Sequence, residues 1–291
     1  MAENRDAEQP MSDLFAHKFT HQGFFYVFKW AKRTHVLNQM PNKLQSRLTQ
    51  YFQIILDNKV PNDLFNDKSV QRCSTFRLTH IKHKYYDQLE KKLDSAQKIQ
   101  KYSLKFTPET ADRYQPQASP YANTIHSLLQ ITQKRFDQNA LVKLDFKPNH
   151  EEVLNAILLQ HDSALTVEVP IWTRRQTLLD KFIPDSNTGF FFNYKTDITG
   201  HIDLILYDAP TDTLIIADYK PEGEFLRSLP QIASYGLLIK HNLKILNIKC
   251  LSFNRDEAWL YDPEILREDI QLFLIRNGYP KQTWQSIIAH L

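Results

Sequence analysis

Glycine is scarce in this 291-residue chain, with six in all, and cysteine is scarcer, with two. So few glycines leave little room for phosphate-cradling loops, and no GxxxxGK[ST] run occurs, which excludes a nucleotide-driven motor and a nucleotide cofactor of that kind. Cys73 and Cys250 are too few for a disulfide framework or a four-thiolate iron–sulfur cluster. No apolar run approaches the roughly 18 residues of a membrane span, so no membrane partner is expected. The opening MAENRDAEQP is polar and acidic, unlike a signal or transit peptide. The expectation is a soluble protein of a reducing, intracellular compartment, cytoplasmic or beside the genome.

Acidic residues are missing altogether between Leu14 and Leu56. In their place stand Lys18, Lys29, Lys32, Arg33, Lys43 and Arg47, interleaved with Phe15, Phe19, Phe24, Phe25, Tyr26, Phe28 and Trp30. Charge is segregated along the whole chain. Residues 1–150 hold 23 Lys and Arg against 14 Asp and Glu, and the remainder holds 13 against 19. A basic half and an acidic half suggest a polyanion-binding part and a part that gathers carboxylates.

Leu44, Leu48, Tyr51, Phe52 and Ile55 recur at helical spacing, and YYDQLEKKLDSAQKIQKYSL predicts an exposed amphipathic helix. Residues 1–12 therefore read as a disordered tail, 13–105 as a mainly helical basic module, and 106–121, with Pro108, Pro116 and Pro120, as a linker. Lys29, Lys32 and Arg33 are the candidate phosphate contacts of that module, which also offers a surface to protein partners. Cys73, His80 and His83 suggest a zinc half-site, but a fourth ligand is missing and the spacing is loose, and the histidines fit a basic helical face better.

Beyond residue 121 the pattern changes. ANTIHSLLQITQKRF and HEEVLNAILLQH predict helices. LTVEVPIW, GHIDLILYD, TLIIADYK and LKILNIKCLSF are almost uniformly apolar and β-branched, the mark of strands buried on both faces. FLRSLPQIASYGLLIKHN and PEILREDIQLFLIRNG predict further helices. The order α-β-β-β-α-β-α from His150 predicts an α/β layer fold over 122–291.

Charge inside such strands needs a partner or a task. Alternation in TLIIADYK places Leu214, Ile216, Asp218 and Lys220 on one face, and Asp203 lies in the neighbouring strand after Gly200. Two converging carboxylates repel unless a divalent cation neutralises them, and hard oxygen ligands suit Mg²⁺ or Mn²⁺. Gln231 and Tyr235, four apart, share a helical face. A plain ion pair between Asp218 and Lys220 is the alternative for those two residues taken alone.

The motifs GHID, IADYK and QIASY fit GxxD, DxK and QxxxY, and over residues 149–255 the chain resembles the RecB-like branch of the PD-(D/E)xK nucleases. The resemblance implies a restriction-endonuclease-like mixed sheet flanked by helices, and metal-dependent hydrolysis of DNA. It implies metal ligation by Asp203, Asp218 and the Tyr219 carbonyl, catalysis by Lys220, and Gln231 and Tyr235 contacting DNA or bracing the site. The branch often adds an acid or a histidine from the preceding helix. Here that helix offers His150, Glu151 and Glu152, of which Glu151 continues the apolar stripe and is the expected extra ligand; Glu168 is another candidate, one that fits a strand-edge residue better. Two competing readings are a transposase- or restriction-like subunit whose first 105 residues recognise a sequence or partner, and a catalytically silent DNA-binding domain.

Overall fold

The computed structural model describes residues 13–104, 119–142, 148–174, 191–192 and 197–289; the tail and nearly all of the linker expected from the sequence lie outside them. Among these residues there are eleven strands, β1 (Asp13–His21), β2 (Phe24–Lys32), β3 (Gln71–Arg72), β4 (Ile99–Ser103), β5 (Ala164–Thr173), β6 (Phe191–Phe192), β7 (Ile198–Asp208), β8 (Thr213–Tyr219), β9 (Ile248–Phe253), β10 (Glu257–Tyr261) and β11 (Ile288–Ala289). Nine form one mixed sheet in the order β1-β2-β5-β7-β8-β9-β10-β4, with β3 beside β7; β6 pairs with β11. All neighbours along that path are antiparallel except β8 and β9. That parallel pair needs a crossover, which the helix between them supplies.

Among the described residues there are eight α-helices, α1 (Thr34–Leu37), α2 (Asn42–Leu56), α3 (Asn62–Asn66), α4 (His83–Ser95), α5 (Ala122–Val142), α6 (His150–Gln160), α7 (Phe225–Leu243) and α8 (Gln271–Arg276). They cover both faces of the sheet. One core joins Phe52 of α2 and Ile232, Leu229 and Tyr235 of α7 to Ile205, Leu214 and Ile216 of the sheet. The other joins Leu128 of α5 and Ile157 of α6 to Leu204, Leu206, Ile215 and Ala217. Every residue of β8 and all but one of β7 are buried, as uniformly apolar strands between two helical layers must be.

The N-terminal third departs from the expected helical module. Its helices α2 and α4 form where the apolar period lies, but residues 13–32 are a β-hairpin and Ile99–Ser103 is a strand. LFAHKFTH and FFYVFKW alternate around Gln22 and Gly23, whose φ values of 50° and 91° are those of a two-residue hairpin turn. The hairpin adds β2 to β5, and β4 adds to β10, so this segment extends the same sheet at both edges. PEILREDIQLFLIRNG, expected as one helix, forms a wider-wound turn at Leu266–Ile270 that runs into α8.

Arg33 is drawn into this scaffold. It is 8% exposed; its guanidinium donates to the carbonyls of Leu158 and Leu159 (2.8 and 3.2 Å) and of Ala164 (3.1 Å). The first two are among the carbonyls a helix end leaves without partners, so Arg33 fastens α6 to β5. Arg33→Ala is expected to lower stability by about 3 kcal/mol, since buried acceptors lose charge-assisted donors. A urea midpoint unchanged from the wild type would refute this.

Candidate metal centre

The site forms where β7 and β8 run side by side near α6 and α7. Their register pairs Leu204 with Ala217, so the next step sets Asp203 opposite Asp218. Both are buried, at 5% and 1% exposure. Leu214 and Ile216 sit in the core beneath α7, and Asp218 follows them onto that face, as alternation requires. Lys220, just past the strand end, places its ammonium on Asp218 Oδ2. Asp203 Oδ2 accepts the Tyr219 backbone N–H at 2.8 Å, so the two strands lock that carboxylate in place.

Helix α7 braces the pair. Gln231 Nε2 lies 3.1 Å from the Tyr235 hydroxyl oxygen and 3.4 Å from Asp218 Oδ1. The Tyr235 ring rests on Gly200. A Cβ there would stand 2.6 Å from Tyr235 Cε1, a separation that side chains do not tolerate. The glycine of GHID and the tyrosine of QIASY are thus two halves of one contact.

Helix α6 supplies the other wall. Asn149 caps it through its side chain, which accepts the Glu152 N–H at 2.9 Å, while Glu152 accepts the Asn149 N–H at 3.0 Å. That reciprocal arrangement fixes the first turn and holds His150 with Nε2 2.9 Å from Asp203 Oδ2. Glu168 reaches in from β5, its Oε1 3.6 Å from His150 Nδ1 and its Oε2 3.7 Å from His201 Nε2. It does so with a φ of 52°, a left-handed conformation that non-glycine residues rarely adopt inside strands. Ligand atoms of His150, Glu168 and Asp203 all lie within 4.8 Å of one another, and this is the one such group among the described residues.

The electrostatics follow from crowding charge in a dry site. Burial, reinforced by Asp203, pushes the Asp218 carboxyl up to about 6 against the pull of Lys220. Burial likewise raises Glu168 to about 7, with His150 opposing and Asp203 assisting. For Asp203 burial works against ionisation, but His150 and Lys220 outweigh it and hold the carboxyl low. Burial also opposes the charge on His150, yet Asp203 and Glu168 raise its pKa well above the ordinary imidazole range. His201, buried, is pushed down to about 4. The centre gathers three carboxylates, one ammonium and one imidazolium.

Of the residues expected from the sequence, Asp203, Asp218, Tyr219, Lys220, Gln231 and Tyr235 come together. Glu151 does not. It is exposed and accepts from Lys29 Nζ at 3.2 Å, while Lys29 also donates to Asn155 at 2.8 Å. His150 and Glu168 take the place foreseen for Glu151. Of the three basic residues foreseen as phosphate contacts, Arg33 is buried and Lys29 is engaged with α6, which leaves Lys32 exposed. Cys73 is fully buried and His83 projects into solvent beside Asp87, so no zinc half-site forms.

His201 is not among the residues expected from the sequence, although it lies two residues before Asp203 and therefore on the same strand face. Glu168 carries a signal too, as the one acid of β5. No protein-family model matches the chain, and neither a curated protein nor a solved structure matches it significantly.

Proposed function

We propose that the protein is a metal-dependent nuclease with a restriction-endonuclease-like core, hydrolysing phosphodiester bonds of DNA with Mg²⁺ or Mn²⁺. The observation that carries this reading is the placement of Asp203 opposite Asp218 on paired buried strands, with Lys220 beside one and His150 and Glu168 beside the other.

The donor set fits a divalent ion. Glu168 Oε2 is buried without a hydrogen bond, and three carboxylates crowd a space that raises the pKa of two of them. A cation is the simplest way to relieve both. Oxygen ligands suit Mg²⁺ and Mn²⁺, and an imidazole in the set shifts the preference toward Mn²⁺. Asp203, Glu168 and His150 would hold the ion, with Asp218 as a further ligand once Lys220 turns from it to substrate. When bound, such an ion polarises the phosphoryl oxygen and lowers the pKa of a coordinated water.

The remaining work falls to the chain. Lys220, its side chain 18% exposed, can bring its ammonium to a non-bridging phosphate oxygen and stabilise the charge that develops there. Gln231 and Tyr235 keep the Asp218 carboxylate in its rotamer. Supercoiled plasmid, circular single-stranded DNA and linear duplex incubated with Mn²⁺ or Mg²⁺ test the reading. Cleavage of at least one substrate that stops in chelator is expected. Absence of cleavage on all three, or cleavage that persists in chelator, would overturn it.

A further inference from the structure

Two aromatic rings at the turn of the β1–β2 hairpin are left in solvent. Phe24 is 65% and Phe25 81% exposed, although burial is where a phenylalanine gains most. The turn is firmly held. The Gln22 N–H donates to the Phe65 carbonyl at 2.9 Å, and the Gln22 side chain donates to the carbonyls of Asp67 and Val70 at 3.2 and 3.3 Å. The rings are therefore presented by a fixed backbone.

The register pairs Phe25 with Thr20 and Val27 with Lys18, so Phe25, Val27, Lys29 and Lys18 share one hairpin face. Phe19, Phe28 and Trp30, on the other face, enter the core. The Phe25 face looks toward the metal centre. Phe25, Tyr26 and Lys29 share with His150, Asn155 and Glu168 the walls of a cavity of about 220 Å³. From the opposite face of the hairpin, the Tyr26 ring lies 4.1 Å, centroid to centroid, from that of His201. This cavity is smaller than the roughly 300 Å³ at the low end of small-molecule pockets, a size for one planar ring. Lys18 on the same face is exposed, and no acid occurs from Leu14 to Leu56. An aromatic platform with a cation beside it holds an unpaired base and its phosphate without regard to sequence. A base stacked within a duplex has no free face to offer.

We infer that Phe25 is a stacking platform for an unpaired nucleobase next to the phosphate that reaches Asp203 and Asp218, which makes single-stranded or frayed DNA the substrate class. The inference rests on the nuclease reading above.

Binding of an oligothymidylate strand and of an abasic strand of equal length, with Ca²⁺ filling the site, separates base from phosphate contacts. Wild-type protein is expected to hold the thymidylate strand about tenfold more tightly than the abasic one. Phe25→Ala should erase that preference and Phe25→Trp should keep it; melting curves establish that both variants are folded. A Phe25→Ala protein that retains the preference, or that loses affinity for both strands equally, overturns the inference and leaves the nuclease reading standing. A wild-type protein that neither binds nor cleaves DNA brings down both. A dimer that becomes monomeric on Phe25→Ala would mean that this face joins two copies of the chain, which also overturns the inference.

Discussion

If the proposed nuclease reading holds, Asp203→Asn is expected to reduce metal-dependent cleavage by about three orders of magnitude, because it removes the carboxylate that holds His150 and the Tyr219 N–H and would hold the ion. Asp218→Asn should be nearly as damaging. The two differ in what they do to the metal-free fold. Asp203 is held low by His150 and Lys220, so its charge is matched, and losing it leaves His150 without its closest anion. Asp218 is raised to about 6, first by burial and then by Asp203, so at neutral pH its charge strains the fold. A carboxyl whose folded pKa is raised gives its stability below the unfolded value and loses it as pH climbs through about 6. Asp218→Asn should therefore melt no lower than wild type at pH 7 in chelator, while its activity collapses. Full activity in either variant, or an Asp218→Asn protein that melts well below wild type, would remove Asp203 and Asp218 from the roles given them here.

Lys220→Ala is expected to lower turnover by about a hundredfold or more with little change in DNA affinity. Arginine should not restore it, since a planar guanidinium neither yields a proton readily nor fits the space of an ammonium. A second readout separates this role from a structural one. In the metal-free protein the ammonium sits on Asp218 and competes with any cation for that oxygen. Removing it should leave Mn²⁺ affinity equal to or tighter than wild type, as followed by electron paramagnetic resonance of the free ion. Weaker Mn²⁺ binding together with unchanged turnover would mark Lys220 as a scaffold residue.

The strands that carry this chemistry were legible because burial on both faces leaves few residue choices. β5, β7, β8 and β9 read as apolar runs, and the aspartates stood out against them. Helices α6 and α7 showed their period plainly. The failures lie at the sheet edges, where one side of a strand meets solvent and the apolar signal halves. KIQKYS is charged enough to read as the tail of an amphipathic helix, yet it forms β4. EAWLY is too short to announce β10. FFYVFKW carries aromatics on both of its faces, which hides the strand period. Choosing between His150 and Glu151 lay beyond helical phase, since both neighbour Leu154 on the stripe. What decides is Lys29, which arrives from β2 and draws Glu151 outward, a contact 122 residues distant in sequence.

The strand order has a consequence for how the protein is made. The first hundred residues furnish the two outermost positions of the sheet, β1–β2 at one side and β4 at the other, and the interior strands β5, β7, β8, β9 and β10 are all synthesised after them. On the ribosome the β1–β2 hairpin and β4 emerge before the strands they dock on, and the sheet closes only when residues 164–261 have followed. A high contact order of this kind slows folding and prolongs the exposure of unpaired backbone. Nascent chains cut short before β5 would carry an aromatic hairpin with nothing to dock on, and its apolar face would stay in water until β5 arrives.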